Sequence, residues 1–180
     1  MSTRSIARRV MATVGSAVAV AALVALPTGS AHADSCSNPV QLGPSTKLSI
    51  SDNWGHNATI GYLYIGWYAN CASAYAEIDW SGGWQNSVDG SVYLNWNDPA
   101  HNSAEGRVYF HPGGPVSAKS NNLYEGPGTA YTPGRSFTAA TQITVATGNG
   151  KVCGPRILVG STHEFSNGWN SGPGNGNCSV

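Results

Sequence analysis

Over residues 59–68, and again over residues 71–80, apolar and polar residues alternate with a period of two. Successive side chains of an extended chain point to opposite faces, so the pattern predicts two half-buried β-strands. With Ala69-Asn70 as a two-residue turn, Trp67 faces Ala72, Ile65 faces Ala74, Leu63 faces Ala76 and Thr59 faces Trp80, giving one apolar face. The other face pairs Tyr64 with Tyr75, Tyr62 with Glu77 and Ile60 with Asp79. Both strands then agree on which side is core, as a shared register requires. Asn-Gly would suit such a turn better than Ala-Asn, and this register leaves Cys71 on the polar face.

The rest of the chain reads the same way. Residues 34–45 form a leader held by Cys36, residues 47–50 open a first strand, and residues 51–57 are a turn-rich loop with Trp54 and His56. Over residues 88–96, Val88, Val92, Leu94 and Trp96 fall on one side and Asp89, Ser91, Tyr93 and Asn95 on the other. Asp98-Pro99 makes a good N-cap and first-turn pair, which predicts one helical turn over residues 101–105. Residues 107–110 form a short strand, and residues 111–134, rich in Gly, Pro, Ser and Asn, form a loop. A strand over residues 136–145 places Phe137, Ala139, Ile143 and Val145, and short strands follow at 156–159 and 163–165. A Gly/Asn loop over residues 166–177 is restrained by Cys178. Seven or so short strands with turns between them indicate an all-β domain, an antiparallel sandwich or a small barrel.

The N-terminus changes the picture of where this domain works. Arg4, Arg8 and Arg9 precede an uncharged apolar stretch over residues 10–26, and Ala31-His32-Ala33 follows as a small-x-small cleavage site. That order is a secretory signal rather than a membrane span, so residues 1–33 are expected to be removed and residues 34–180 to form a single secreted domain. No second apolar stretch suits a membrane anchor. The mature part keeps six Lys and Arg against nine Asp and Glu, a net charge of 6 − 9 = −3. With no basic cluster, it is a poor nucleic-acid binder. Cys36, Cys71, Cys153 and Cys178 all survive cleavage, and an even count in an exported chain implies two disulfides. Three pairings are possible; Cys36–Cys71 and Cys153–Cys178 are favoured because each closes a local loop, stabilising the fold by roughly 3–4 kcal/mol in the chain-entropy model. No Cys-x-x-Cys pair points to a metal site.

Catalytic signatures are absent: no Gly-x-Ser-x-Gly, no His-Glu-x-x-His, no phosphate-binding glycine loop and no EF-hand loop. No cofactor is expected. The polar face of the hairpin is the richest constellation, since Tyr62, Tyr64, Tyr68 and Tyr75 lie beside Glu77 and Asp79. Flat aromatic rings can stack on the apolar faces of sugars, and neighbouring carboxylates can accept from hydroxyls. Tyr62, Tyr64, Tyr75, Glu77 and Asp79 are therefore the candidate binding residues, weighed against a face that packs under a second sheet or stands in solvent. Glu77 and Asp79, about 6.5–7 Å apart at Cα, could also be read as a hydrolase pair. His56, His101, His111 and His163 are candidate bases or ligands, with Asp98, His101 and Glu105 close in sequence. Trp54, Trp84 and Trp169 lie in Gly/Asn loops as further ligand candidates or as plugs at the ends of a sandwich.

The run Tyr68-Ala69-Asn70-Cys71-Ala72-Ser73-Ala74-Tyr75-Ala76 resembles part of a pattern found in small secreted actinobacterial domains, roughly Tyr-Ser-x-x-Cys-x-x-x-Trp-Ala. Ala69 stands in place of the Ser and Tyr75 in place of the Trp. The resemblance implies an exported protein and carries over no catalytic residue. Together these readings give a secreted, disulfide-stapled module that binds polysaccharide, cell wall or an extracellular protein, favoured over a small secreted hydrolase and over a secreted inhibitor or toxin acting through the 111–134 loop.

Overall fold

The computed structural model describes residues 36–51, 57–98, 101–124, 135–147 and 150–179. The expected signal segment over residues 1–33, Trp54 and His56 lie outside the described residues. Numbered along the chain, the strands are β1 (Val40–Ser51), β2 (Asn57–Tyr68), β3 (Ser73–Trp80), β4 (Val88–Asp98), β5 (His101–Phe110), β6 (Ser117–Lys119), β7 (Leu123–Tyr124), β8 (Ser136–Thr147), β9 (Gly150–Glu164), β10 (Trp169–Asn170) and β11 (Asn177–Ser179). One sheet has the order β11-β1-β2-β3-β6, with β7 also on β3, and the other has the order β10-β9-β8-β4-β5. Both sheets are open, so the molecule is a sandwich and not a closed barrel. Pairing is antiparallel except between β11 and β1, which run parallel.

Alternation decides what is buried. Leu63, Ile65, Ala76 and Ile78 of the first sheet meet Val92, Leu94, Phe137, Ala139, Ile143 and Val145 of the second, all fully buried. At one end the aromatic rings interlock, with Phe165 set 4.5 Å from Trp67, 5.4 Å from Phe137 and 4.4 Å from His163, ring centre to ring centre. The disulfides are Cys36–Cys71 and Cys153–Cys178, the favoured pairing. The first ties the start of the described chain to the β2–β3 turn, and the second ties β9 of one sheet to β11 of the other.

The β2–β3 hairpin keeps its faces but not its register. The connection is a 3₁₀ turn at Ala69–Cys71 closed by Ala72 in the left-handed region, so Cys71 sits in the turn rather than on the polar face. Two extra turn residues slide each pairing by two: Tyr64 lies opposite Glu77, Tyr62 opposite Asp79, and Gly66 opposite Tyr75. A shift of two preserves sidedness, which is why the apolar face survives. Ile60 is a second correction. A register break between Leu48 and Ser49 of β1 leaves it as an extra residue between Thr59 and Gly61; the bulge turns its side chain into the core, where it is fully buried.

Other elements run longer than their sequence pattern indicates. The first strand begins at Val40, inside the expected leader, and the two short strands near the C-terminus are one continuous β9. The helical turn over residues 101–105 is absent; that segment is the start of β5, paired with β4 from Asp98↔His101 to Gly90↔Phe110. Cross-strand pairing wins over the Asp-Pro capping signal: His101 lies opposite Asp98 in the ladder, and an extended backbone sets His101 and Glu105 about 13 Å apart at Cα. The 111–134 loop carries β6 and β7, which dock on β3.

Candidate binding surfaces

Outward positions of the first sheet form rows across its strands. Lys47, Tyr62, Asp79 and Ser117 make one row, and Tyr64, Glu77 and Lys119 make the next. All five residues proposed from sequence therefore share one outer face. They are not equally accessible. Tyr62 is 42% exposed and Asp79 is exposed, Tyr64 and Glu77 are half-buried, and Tyr75 is buried.

Two causes cover Tyr75. Its ring lies flat across Gly66, where a Cβ would stand 2.0 Å from the Tyr75 Cζ; a glycine opposite the tyrosine is what lets the ring lie down. Above it comes Lys119, whose Nζ sits 3.6 Å from the Tyr75 ring centre and 4.5 Å from that of Tyr68, and donates to the Tyr68 hydroxyl. An ammonium over two phenol rings is a cation–π clamp. The two rings also pack on each other at 5.1 Å.

Tyr64 is the polar centre of this face. Burial first, then the Glu77 and Asp79 carboxylates, which also accept from its hydroxyl, push its ionisation far above the ordinary tyrosine range. Tyr75 is pushed up in the same way, by burial, then by Glu77 and by Tyr68. The face thus sets Tyr64 and Tyr75, two phenols that hold their protons tightly, beside two carboxylates, with Tyr62 standing out from it between Lys47 and Asp79.

The second sheet carries an arrangement that sequence reading passed over. On its outer face Arg107 lies 3.9 Å above the Tyr93 ring and donates to Ser91 Oγ (2.8 Å) and Gln142 Oε1 (3.4 Å). At the end of β5, Tyr109 is 70% exposed, and His111 Nδ1 meets Asp89 Oδ1 at 2.7 Å. Two open hollows of about 200 and 530 Å³ adjoin at Tyr109 and His111. The first lies over Ser91, Gln142 and Thr144, and the second over the 111–115 turn toward Lys119. Alternation had placed Asp89, Ser91 and Tyr93 on one side; their partners arrive only through β5 and β8.

The remaining candidates fall apart. His163 is buried against Phe165 with Nδ1 2.7 Å from Asn170 Oδ1. Trp84 packs on the core, whereas Trp169 is 53% exposed on β10. Among the described residues no three His, Cys, Asp or Glu side chains converge to hold a metal ion, and no helix is long and apolar enough to cross a membrane. Compared with known proteins, the chain matches no family model, no curated protein and no solved structure.

Proposed function

We propose that this chain is an exported, non-catalytic binding module that takes polysaccharide, cell wall or an extracellular protein on the outer face of its first sheet. The observation that carries the reading is the Tyr62–Tyr64–Glu77–Asp79–Lys119 surface: an exposed ring beside two carboxylates, a half-buried phenol and an ammonium, set on adjacent rows of one sheet. Such a surface is preorganised, so little ordering opposes ligand capture. The N-terminal pattern of charge, apolar stretch and cleavage site supports export, and two disulfides suit an oxidising compartment. Neither Glu77 nor Asp79 lines the two hollows described above. Both share the Tyr64 hydroxyl on a sheet face, which favours binding over hydrolysis.

The test is depletion of the oxidised protein from solution by insoluble polysaccharides and purified cell walls. Binding that falls in Tyr62→Ala, with unfolding unchanged, supports the face. Retention of full binding in Tyr62→Ala and in Asp79→Ala would show that the face is not the contact, and no depletion by any polymer would sink the polymer form of the reading.

A further inference from the structure

We infer that the hollow beside Tyr109, on the sheet opposite the tyrosine face, is a second and separate site, and that its ligand is a neutral saccharide chain. The inference begins with Tyr109. A 70% exposed ring on a strand that buries its neighbour Phe110 offers a flat apolar face to solvent at the junction of two hollows. Exposed aromatic area with a polar handle is what stacking on a sugar ring uses.

The groups around that ring are set for hydroxyls. Arg107 occupies the Gln142 carboxamide oxygen, so the Gln142 side chain has its NH₂ group to offer as a donor. Asp89, steadied by His111, offers an acceptor, and the half-buried Thr144 hydroxyl can do either, while the buried Ser91 hydroxyl helps hold Arg107 in place. Donors and acceptors side by side on a rigid sheet match the vicinal hydroxyls of a sugar. The 111–115 turn bordering the ring is itself fixed, since Gly113 N donates to Gln85 O and Gly114 N to His111 O, both at 3.1 Å.

Charge disfavours an anionic ligand: among the described residues Arg107 is engaged by the Tyr93 ring and two neutral oxygens, Lys119 of the second hollow lies over the Tyr68 and Tyr75 rings, and Asp89 adds a negative group at the rim of the first. A peptide strand is disfavoured on different grounds. The free edge of β5 is broken by Gly106 at φ +63, whose carbonyl already accepts from Asn121 N at 2.8 Å; a bulged, occupied edge does not accept an added strand.

The experiment is amide chemical-shift mapping of the isotope-labelled protein with four neutral linear hexasaccharides in turn: cellohexaose, xylohexaose, maltohexaose and chitohexaose. The expected result is shifts at Ser91, Gln142 and Thr144 with at least one of them. Affinity should fall about tenfold in Tyr109→Ala, fall also in Gln142→Ala, and stay the same in Tyr62→Ala. Tyr109 and Tyr62 are exposed and Gln142 is half-buried, and unshifted core amides report that the variants remain folded. The site is overturned if none of the four moves those amides, or if their shifts survive Tyr109→Ala unchanged. Shifts confined to the surroundings of Tyr62 would overturn it too, while leaving the binding-module reading standing.

Discussion

Burial and the neighbouring Glu77 and Asp79 carboxylates make Tyr64 a group whose proton the folded state holds more tightly than the unfolded chain does. An unfolded tyrosine ionises near pH 10. Below that value both states keep the proton and the stabilisation is complete. Above it the unfolded state releases the proton while the folded state does not, so stability falls as pH rises. Urea unfolding should show the midpoint dropping from about pH 10 upward. Tyr64→Phe should make that fall shallower without abolishing it, because Tyr75 is raised as well. A fall equally steep in Tyr64→Phe would mean that Tyr64 does not carry the effect. All four cysteines are in disulfides, so no free thiol complicates the alkaline arm. A second residue-scale prediction concerns Gly66. Its missing Cβ would stand 2.0 Å from the Tyr75 Cζ, so Gly66→Ala must lift the ring out from beneath Lys119. Overpacking of this kind costs about 1–3 kcal/mol, readable as a lower urea midpoint. Full wild-type stability would mean that the ring has another place to lie.

At the scale of elements, what was legible in the sequence is what depends on neighbours along the chain. The alternation of β2, β3 and β4 named their buried faces, and locality named both disulfides. The register of the β2–β3 hairpin was not legible, because it depends on Ala72 taking φ 45, a conformation that residue type does not advertise. Nor was the cover on Tyr75, since Lys119 lies 51 positions from Tyr68 and arrives only when β6 docks on β3. The hollow at Tyr109 was missed for the same reason: Asp89 and His111 are 22 positions apart, joined by a β4–β5 hairpin where a capping signal suggested a helical turn. β11 is a further case, three residues running parallel to β1 and held by Cys178. Replacing Cys153 and Cys178 together by Ala should cost about 3–4 kcal/mol. It should also release β11 before the rest, so that amide exchange at Asn177–Ser179 speeds up while β8 stays protected. Uniform loss of protection would show instead that β11 unfolds with the whole sheet.

On the scale of the whole molecule, low charge is the property that bears on what the protein can bind. Residues 34–180 carry six basic and nine acidic residues, a net of 6 − 9 = −3, and two of the described cations near the two surfaces are already engaged. Lys119 sits on Tyr68 and Tyr75, and Arg107 sits on Tyr93. Among the described residues neither surface presents the cluster of unspent Lys and Arg that capture of a polyanion requires. The contacts left to a partner are ring faces and hydrogen bonds, and these are short-ranged. At physiological salt the screening length is about 8 Å, so added salt weakens distant charge attraction and leaves such contacts nearly untouched. Depletion of the protein by a polymer that binds it should therefore change by less than about twofold when sodium chloride is raised from about 0.05 to 0.5 M. Anionic wall polymers held by charge would release it over the same range. A binding isotherm repeated at the two salt concentrations separates these outcomes. Steep salt dependence would rule out neutral stacking and move the contact to the exposed Lys47, the cation that flanks Tyr62 across the β1–β2 pair.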